Sequence, residues 1–593
     1  MKQFFKFVFA SCLGLFLALA VLFLIFGVFL GSKVSKAIEG DTVEIKANSI
    51  LKLKLDQIIP EKTDNVPVNF MDLESDTKIG VSDIIKMIKK AKTDDNIKGI
   101  YMNNSSIGLG QAGAYSIRQA LIDFKNSGKF IISYNTHYGQ AAYYLASVAD
   151  QVLIDPMGEI ELKGYASTIP HFKDMMDRLG IGVQVVYAGQ FKSATEPFRL
   201  NKMSDQNKLQ TRELLNSLYK NLLTGISESR KISIDNLSNI ITQSPYHQAD
   251  KARQEGLVDS LVELDDIDAY LKTKVGLDDA EDLSMVMISD YLKANRLDKN
   301  NSADDKIAVV YAEGSITEAK SEEETNISGK EYVNIFDKIE KDKKIKAVVL
   351  RINSPGGSAV ASEQILQAIN DLKKIKKIPV IVSMGDVAAS GGYYIACQAD
   401  KIYAEPNTIT GSIGVFGMIP DVSKLMETKL GIHFDTVKTA PLAEGVTGVF
   451  PMSKPTLDYF QRDVDRVYDV FLSRVAKGRN KSKEEIHTIA QGRIWTGNMA
   501  KNNGLVDEIG SLEDAVLYAS TKANIKNYKI TEYPKIKDPI NRLIDKYVNK
   551  KENETKANIK ALSGDAYFIF DALTQIQQWN GVQARLPFML SKF

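Results

Sequence analysis

The sequence is poor in the residues that most often carry metal, redox or disulfide chemistry. Two cysteines occur in 593 residues, Cys12 and Cys397. They exclude a disulfide framework and a cysteine-rich zinc site. The five histidines, His137, His171, His247, His433 and His487, form no HExxH pair, which argues against a zinc hydrolase. No metal or cofactor is expected. Excess charge of one sign is missing too. Lysine and arginine total 75 against 74 aspartates and glutamates, a formal net charge of +1. That balance removes the electrostatic case for a nucleic-acid partner. Hydrophobic residues at 44% and charged residues at 25% exclude disorder as the main state. The length exceeds one compact unit and points to two large domains or several small ones.

Long apolar runs are absent with one exception. Phe7 to Leu30 reads FVFASCLGLFLALAVLFLIFGVFL, without a charge. As a helix it spans about 36 Å, enough for a hydrocarbon core of ~30 Å. A cleavable signal peptide has an apolar stretch of only about 7–15 residues, and no A-x-A exit is evident here. An uncleaved single-pass anchor over residues 7–30 is expected, behind a cytoplasmic segment 1–6. Lys2 and Lys6 before the run and Lys33 and Lys36 after it leave the flanking charges tied. The free amino terminus favours the N-terminus inside, with the bulk of the chain across the bilayer.

The rest of the chain is a tandem duplication. IKGIYMNNSSIGLGQAGAYSIRQALIDFK from Ile97 answers IKAVVLRINSPGGSAVASEQILQAINDLK from Ile345. YYLASVADQVLIDP from Tyr143 faces YYIACQADKIYAEP from Tyr393, and GLVDSLVELDD from Gly256 faces GLVDEIGSLED from Gly504. The offset holds near about 250 residues in all three blocks, which chance similarity does not do. The repeats are placed at 47–285 and 306–530, with a polar linker at 286–305 and a tail at 531–593. In each, apolar strands such as AVVLRIN from Ala347 alternate with amphipathic helices such as Ser362 to Lys374. That pattern predicts an α/β fold of parallel β-α-β units. A helix-rich part, Leu457 to Val475 in the second copy, closes each repeat.

Two segments of the second repeat carry candidate chemistry. Ser354-Pro355-Gly356-Gly357-Ser358 follows a buried strand, and adjacent glycines let backbone N–H groups face a pocket. Ser390 follows the next strand and opens a helix amid Ala388, Ala389, Gly391 and Gly392. Taken singly, the first is a strand-to-helix turn and Ser390 an N-cap. Together they suggest a nucleophile beside an oxyanion hole, with the Gly391 N–H at a helix start that favours anionic oxygen.

A strand ending in SPGG, a strand ending in AASGGYY, and TGSIGV from Thr410 together resemble the signal peptide peptidase A family, in its long two-copy form. The resemblance implies two tandem Clp/crotonase-like domains and a membrane-anchored serine protease. It also implies a lysine base in a G-x-(aromatic)-K-S-A-x-E-P-F motif. Gly189-Gln-Phe191-Lys192-Ser193-Ala-Thr-Glu196-Pro197-Phe198 matches it, which assigns Lys192 as general base to Ser390 as nucleophile. Gly357 and Gly391 are then the oxyanion donors. Ser412 is either a lysine-orienting hydroxyl or an ordinary turn serine. His433 reads as a structural strand histidine, and Asp386 and Glu196 as structural. Aligning the copies sets Gln140, Ala141 and Ala142 against Ser390, Gly391 and Gly392, and Ala443 against Lys192. Each repeat keeps half of one site, so the centre must form between repeats. The base must be largely neutral near pH 8, well below the usual lysine value of about 10.4.

The expected substrates are apolar peptides such as released signal-peptide fragments, and the expected partners are the lipid bilayer and, from the resemblance, three further copies in a homotetramer. The expected location is the bacterial inner membrane, with the catalytic part on the periplasmic side. A Clp-class protease acting on other membrane proteins, a silent peptide-binding scaffold and an acyl-CoA enzyme of the crotonase type are the alternatives.

Overall fold

The computed structural model describes residues 44–63, 78–278, 280–295, 303–319, 326–535 and 582–585, and the isolated positions 7, 14, 16 and 21. The expected anchor over 7–30 thus falls almost wholly outside the described residues. Among the described residues no helix is long and apolar enough to cross a membrane.

Alternating and continuous apolar runs form strands, and 3.6-periodic runs cover them. In the first repeat the elements run β1 (Ser49–Leu53), α1 (Val81–Thr93), β2 (Ile97–Met102), α2 (Gln111–Lys125), β3 (Phe130–Tyr138), α3 (Gln140–Ala146) and β4 (Gln151–Glu161). β5 (Gly182–Ala188), α4 (Asp205–Arg230), β6 (Tyr246–Gln248), β7 (Met285–Met287) and α5 (Ile288–Asn295) follow. Strand order in its sheet is β6-β4-β3-β2-β1-β7. The β1–β2, β2–β3 and β3–β4 pairs are parallel, as β-α-β crossovers require.

The second repeat repeats the plan: β8 (Lys306–Glu313), α6 (Gly329–Lys341), β9 (Ile345–Ser354), β10 (Gly356–Ser358), α7 (Ala359–Lys376), β11 (Val380–Ala389), α8 (Gly391–Ala396) and β12 (Ile409–Gly411). β13 (Val415–Asp421), α9 (Lys454–Arg479), β14 (Ile494–Thr496) and β15 (Lys529–Tyr533) complete it, and β16 (Gln583–Arg585) is a short strand of the tail. Its sheet runs β14-β12-β11-β9-β8-β15. The core on one face joins Val310, Val348, Leu350, Val382 and Ile402 to Phe336 and Ile369 of the covering helices.

Two expectations are corrected here. The linker does not start at 286. Met285–Met287 pairs in parallel with β1 through Ile50↔Met285, and α5 buries Ile288, Tyr291 and Leu292 against the first repeat. The polar stretch after it hid an apolar strand–helix pair that belongs to the domain. His433 is not in a strand. Residues 430–438 are exposed and irregular, and among the described residues no strand pairs with them.

A third sheet links the repeats. β5 of the first pairs antiparallel with β13 of the second over seven residues, Val415↔Ala188 to Asp421↔Gly182. Its order is Asn326–Ser328, Ser315–Thr317, β10, β16, β13, β5. This pairing carries the end of β5, and the loop after it, to the second repeat.

Candidate active site

The loop after β5 is held by close backbone packing. Gly189 has φ +108°, and a methyl group built on it would lie 2.5 Å from the Gln491 carbonyl carbon. Gly492 has φ +80°, and a methyl group there would lie 2.6 Å from the Lys192 nitrogen. Two glycines therefore let the lysine backbone lie against the second repeat. The Phe191 N–H donates to Gln491 O at 2.9 Å. Gln210 of α4 donates to Phe191 O and Ser193 Oγ, both at 3.0 Å, and accepts from the Ile494 N–H at 3.3 Å. Glu196 accepts from Ser204 Oγ at 2.6 Å and Asn207 Nδ2 at 3.0 Å, a loop-holding role. Gln210 and Gly492 had no motif to single them out.

Ser390 sits at the junction of β11 and α8 with φ +55° and ψ −114°. A non-glycine residue avoids that region unless its surroundings enforce it. Its N–H donates to Gly411 O at 2.8 Å, and its carbonyl accepts from the Tyr394 N–H at 2.8 Å. Its hydroxyl does not cap the helix, so it is left for another partner. That partner is Lys192: Nζ lies 2.9 Å from Ser390 Oγ, within one chain. Nζ is also 3.0 Å from Ser412 Oγ and 3.2 Å from Ser412 O.

All three residues are buried, with Lys192 1% exposed and both serines 0%. Burial, with no carboxylate contributing, holds the Lys192 amine well below its ordinary 10.5, because the charged form loses its water. Ser412 has φ +49°, so it too is held in the left-handed region at the site.

The glycine turn lies beside the nucleophile. A methyl group built on Gly391 would fall 3.1 Å from Gly357 N, and one on Gly356 would fall 2.6 Å from Gly391 N. The amides of Gly357 and Gly391 therefore border one small space that admits no side chain. Donors fixed in this way suit a developing anion.

Asp386 is not part of this cluster. Its Oδ1 accepts the N–H groups of Ala112 at 2.7 Å and Gly113 at 3.1 Å, at the start of α2, so it ties the repeats together. In the first repeat, Gln140 bonds its own loop, accepting from the Gly164 N–H at 2.8 Å and the Lys163 N–H at 3.0 Å. Ala443 lies exposed in a turn, away from any such cluster. Among the described residues no group of acidic, cysteine or histidine side chains could hold a metal ion.

Known proteins show the same division. The model of peptidase family S49 matches twice, at residues 123–278 and 372–526. Protease 4 of Haemophilus influenzae is 39% identical over 461 residues, 75% of this chain and 74% of that protein. Protease 4 of Salmonella typhi is 34% identical, over 76% of this chain and 73% of its own. The chloroplastic serine protease SPPA of Arabidopsis thaliana is 32% identical, over 74% and 66%. The two matched blocks fall on the two repeats that share the Lys192–Ser390 pair, and the chain belongs to peptidase family S49 and is a serine protease.

Proposed function

We propose that Ser390 and Lys192 form a Ser–Lys dyad that hydrolyses apolar peptides, released signal peptides among them. The carrying observation is the 2.9 Å approach of Lys192 Nζ to Ser390 Oγ at a buried site where no carboxylate acts on the amine. A neutral amine has two hydrogens and one lone pair. Ser412 O and Ser412 Oγ are placed to take the hydrogens, which leaves the lone pair for the Ser390 proton. Ser390 Oγ attacks the peptide carbonyl carbon as its proton passes to Lys192. The N–H groups of Gly357 and Gly391 receive the oxyanion. Lys192 returns the proton to the leaving amine, and then activates a water that releases the acid from Ser390. No histidine is needed.

Ser390→Ala and Lys192→Met each test the dyad. Both should lower hydrolysis of an apolar fluorogenic peptide by at least about 10³-fold with unchanged circular dichroism. Full activity in either variant sinks the assignment.

The finer fold proposed is the Clp/crotonase type, supported by the crossover order of both sheets and by the glycine turn beside the serine. The proposed setting is the periplasmic face of a bacterial inner membrane, supported by the apolar run Phe7 to Leu30. A homotetramer closed head to tail is proposed from the sheet edges. β5 pairs with β13 across the repeats, but their counterparts near 432–438 and 165–171 are not in strands. A second copy offers each its missing edge, and such a heterologous contact closes into a ring. Sedimentation of the detergent-solubilised chain at the mass of four copies is the expected result, and a monomer counts against it.

A further inference from the structure

A short strand of the tail lies against the glycine turn beside Ser390. β16 lies between β10 and β13 and pairs antiparallel with β10 through Gly356↔Arg585, Gly357↔Ala584 and Ser358↔Gln583. On its other side Gln583 pairs with Phe416 of β13. Val582 O accepts the Ala359 N–H at 3.3 Å, and Arg585 Nη2 donates to Ser315 Oγ at 2.5 Å. Gln583 and Ala584 are 5% and 0% exposed.

The placement of one atom is informative. A methyl group on Gly356 would fall 2.2 Å from the Ala584 carbonyl oxygen, and one on Gly391 would fall 3.2 Å from it. The Ala584 carbonyl thus lies against the two glycines that border the space for the oxyanion. An extended peptide that adds a strand to exposed edges takes its affinity from main-chain hydrogen bonds. A substrate entering beside Ser390 needs the edges of β10 and β13, and β16 occupies both. A three-residue strand adds little to a core; its only fully buried side chain is a methyl group.

We propose that the C-terminal strand is an intramolecular ligand of the peptide cleft, seated with the Ala584 carbonyl at the acyl position, which substrate must displace. The inference rests on the dyad assigned above. A tethered occupant competes at high effective concentration. It reduces the fraction of open cleft, which raises apparent KM and leaves kcat unchanged.

The test compares the full chain, a chain ending at residue 581, and full-length Ala584→Pro, whose ring removes a strand N–H. With an apolar fluorogenic peptide, both altered chains should show KM lowered about fivefold or more at equal kcat. A labelled synthetic peptide of residues 579–588 should bind the truncated chain, seen by fluorescence anisotropy, more tightly than the full chain. Unchanged KM in both altered chains, or equal binding of the labelled peptide to both lengths, overturns the proposal. Loss of kcat in both altered chains also overturns it, because the strand is then a fixed wall of the cleft. Tight peptide binding by a truncated chain that hydrolyses nothing supports the occupancy while refuting the dyad.

Discussion

Arg351 is 3% exposed, at the contact of the two repeats. It donates from Nε to Glu61 Oε2 at 2.9 Å and from Nη2 to Glu61 Oε1 at 3.3 Å. Its Nη1 donates to Ser383 Oγ at 2.9 Å and Met384 O at 3.0 Å. Glu61 comes from the first repeat, and its N–H donates to Glu313 Oε1 at 3.2 Å. Burial pushes the Glu313 and Glu405 carboxyls up to about 7. Burial raises Asp386 as well, while Arg351 opposes the rise. One guanidinium therefore serves several buried acids. Arg351→Met strands Glu61, and breaking a buried pair from one side costs about 3–5 kcal/mol. Glu61→Gln keeps an oxygen facing Arg351 and relieves repulsion on Glu313 and Asp386, so it should cost about 1–2 kcal/mol. Urea unfolding at pH 8 and pH 6 measures both, from midpoints at unchanged slope. The carboxyls at about 7 lie above their ordinary 4.5, so the folded state binds more protons in between. Their stabilisation is full below about 4.5 and is lost as pH rises through about 7, roughly 3 kcal/mol per group. The Arg351→Met deficit should accordingly shrink at pH 6. Equal costs for the two variants, or a deficit that grows on acidification, would refute the reasoning.

Gly391→Ala should lower kcat about 10²–10³-fold, as expected for a disturbed oxyanion donor, with KM little changed; steady-state kinetics check it, and a loss under threefold counts against the oxyanion assignment. Ser412→Ala removes one partner of the Lys192 amine and should cost about tenfold in kcat, with the alkaline limb of the pH–rate profile displaced. Because burial depresses Lys192, activity should rise towards alkaline pH without a limb near 6.5, the ordinary histidine value; a profile level between pH 5 and 9 excludes lysine as base. The same depression means the folded state binds fewer protons than the unfolded one below 10.5. Lys192→Met should therefore stabilise the chain at pH 7 to 8, a gain that fades as pH approaches about 10.5; thermal melts across that range show it or deny it.

The duplication was legible because strands and helices recur at a constant offset, and Lys192 and Ser390, 2.9 Å apart in the structure, each lie in a motif with fixed internal spacing. Ser390 could be found from its small neighbours, and Lys192 only from the nine residues around it. What remained hidden depends on partners distant in sequence. Gln210 looks like any helical glutamine, yet it joins Phe191 to Ile494. Glu61 and Arg351 are 290 residues apart, and no local pattern predicts that a buried arginine will find its acid in the other repeat. The segment at 430–438 has strand-like residues, but a strand also needs an edge, and none of the described strands pairs with it. Met285–Met287 failed the opposite way: three residues were too few to register as periodic, and an available edge beside β1 made them a strand.

The dyad also has an order in time. Lys192 precedes Ser390 by 198 residues, so a ribosome completes the base long before the nucleophile exists. Neither repeat alone contains a reacting pair, and the pair closes only when the second repeat docks on the first through β5 and β13. If the two residues act as proposed, a half-made chain holds only one of them and has no reacting pair. On the proposed assignment, the position of two residues on opposite sides of a duplication delays hydrolysis until the second repeat has been made and has docked.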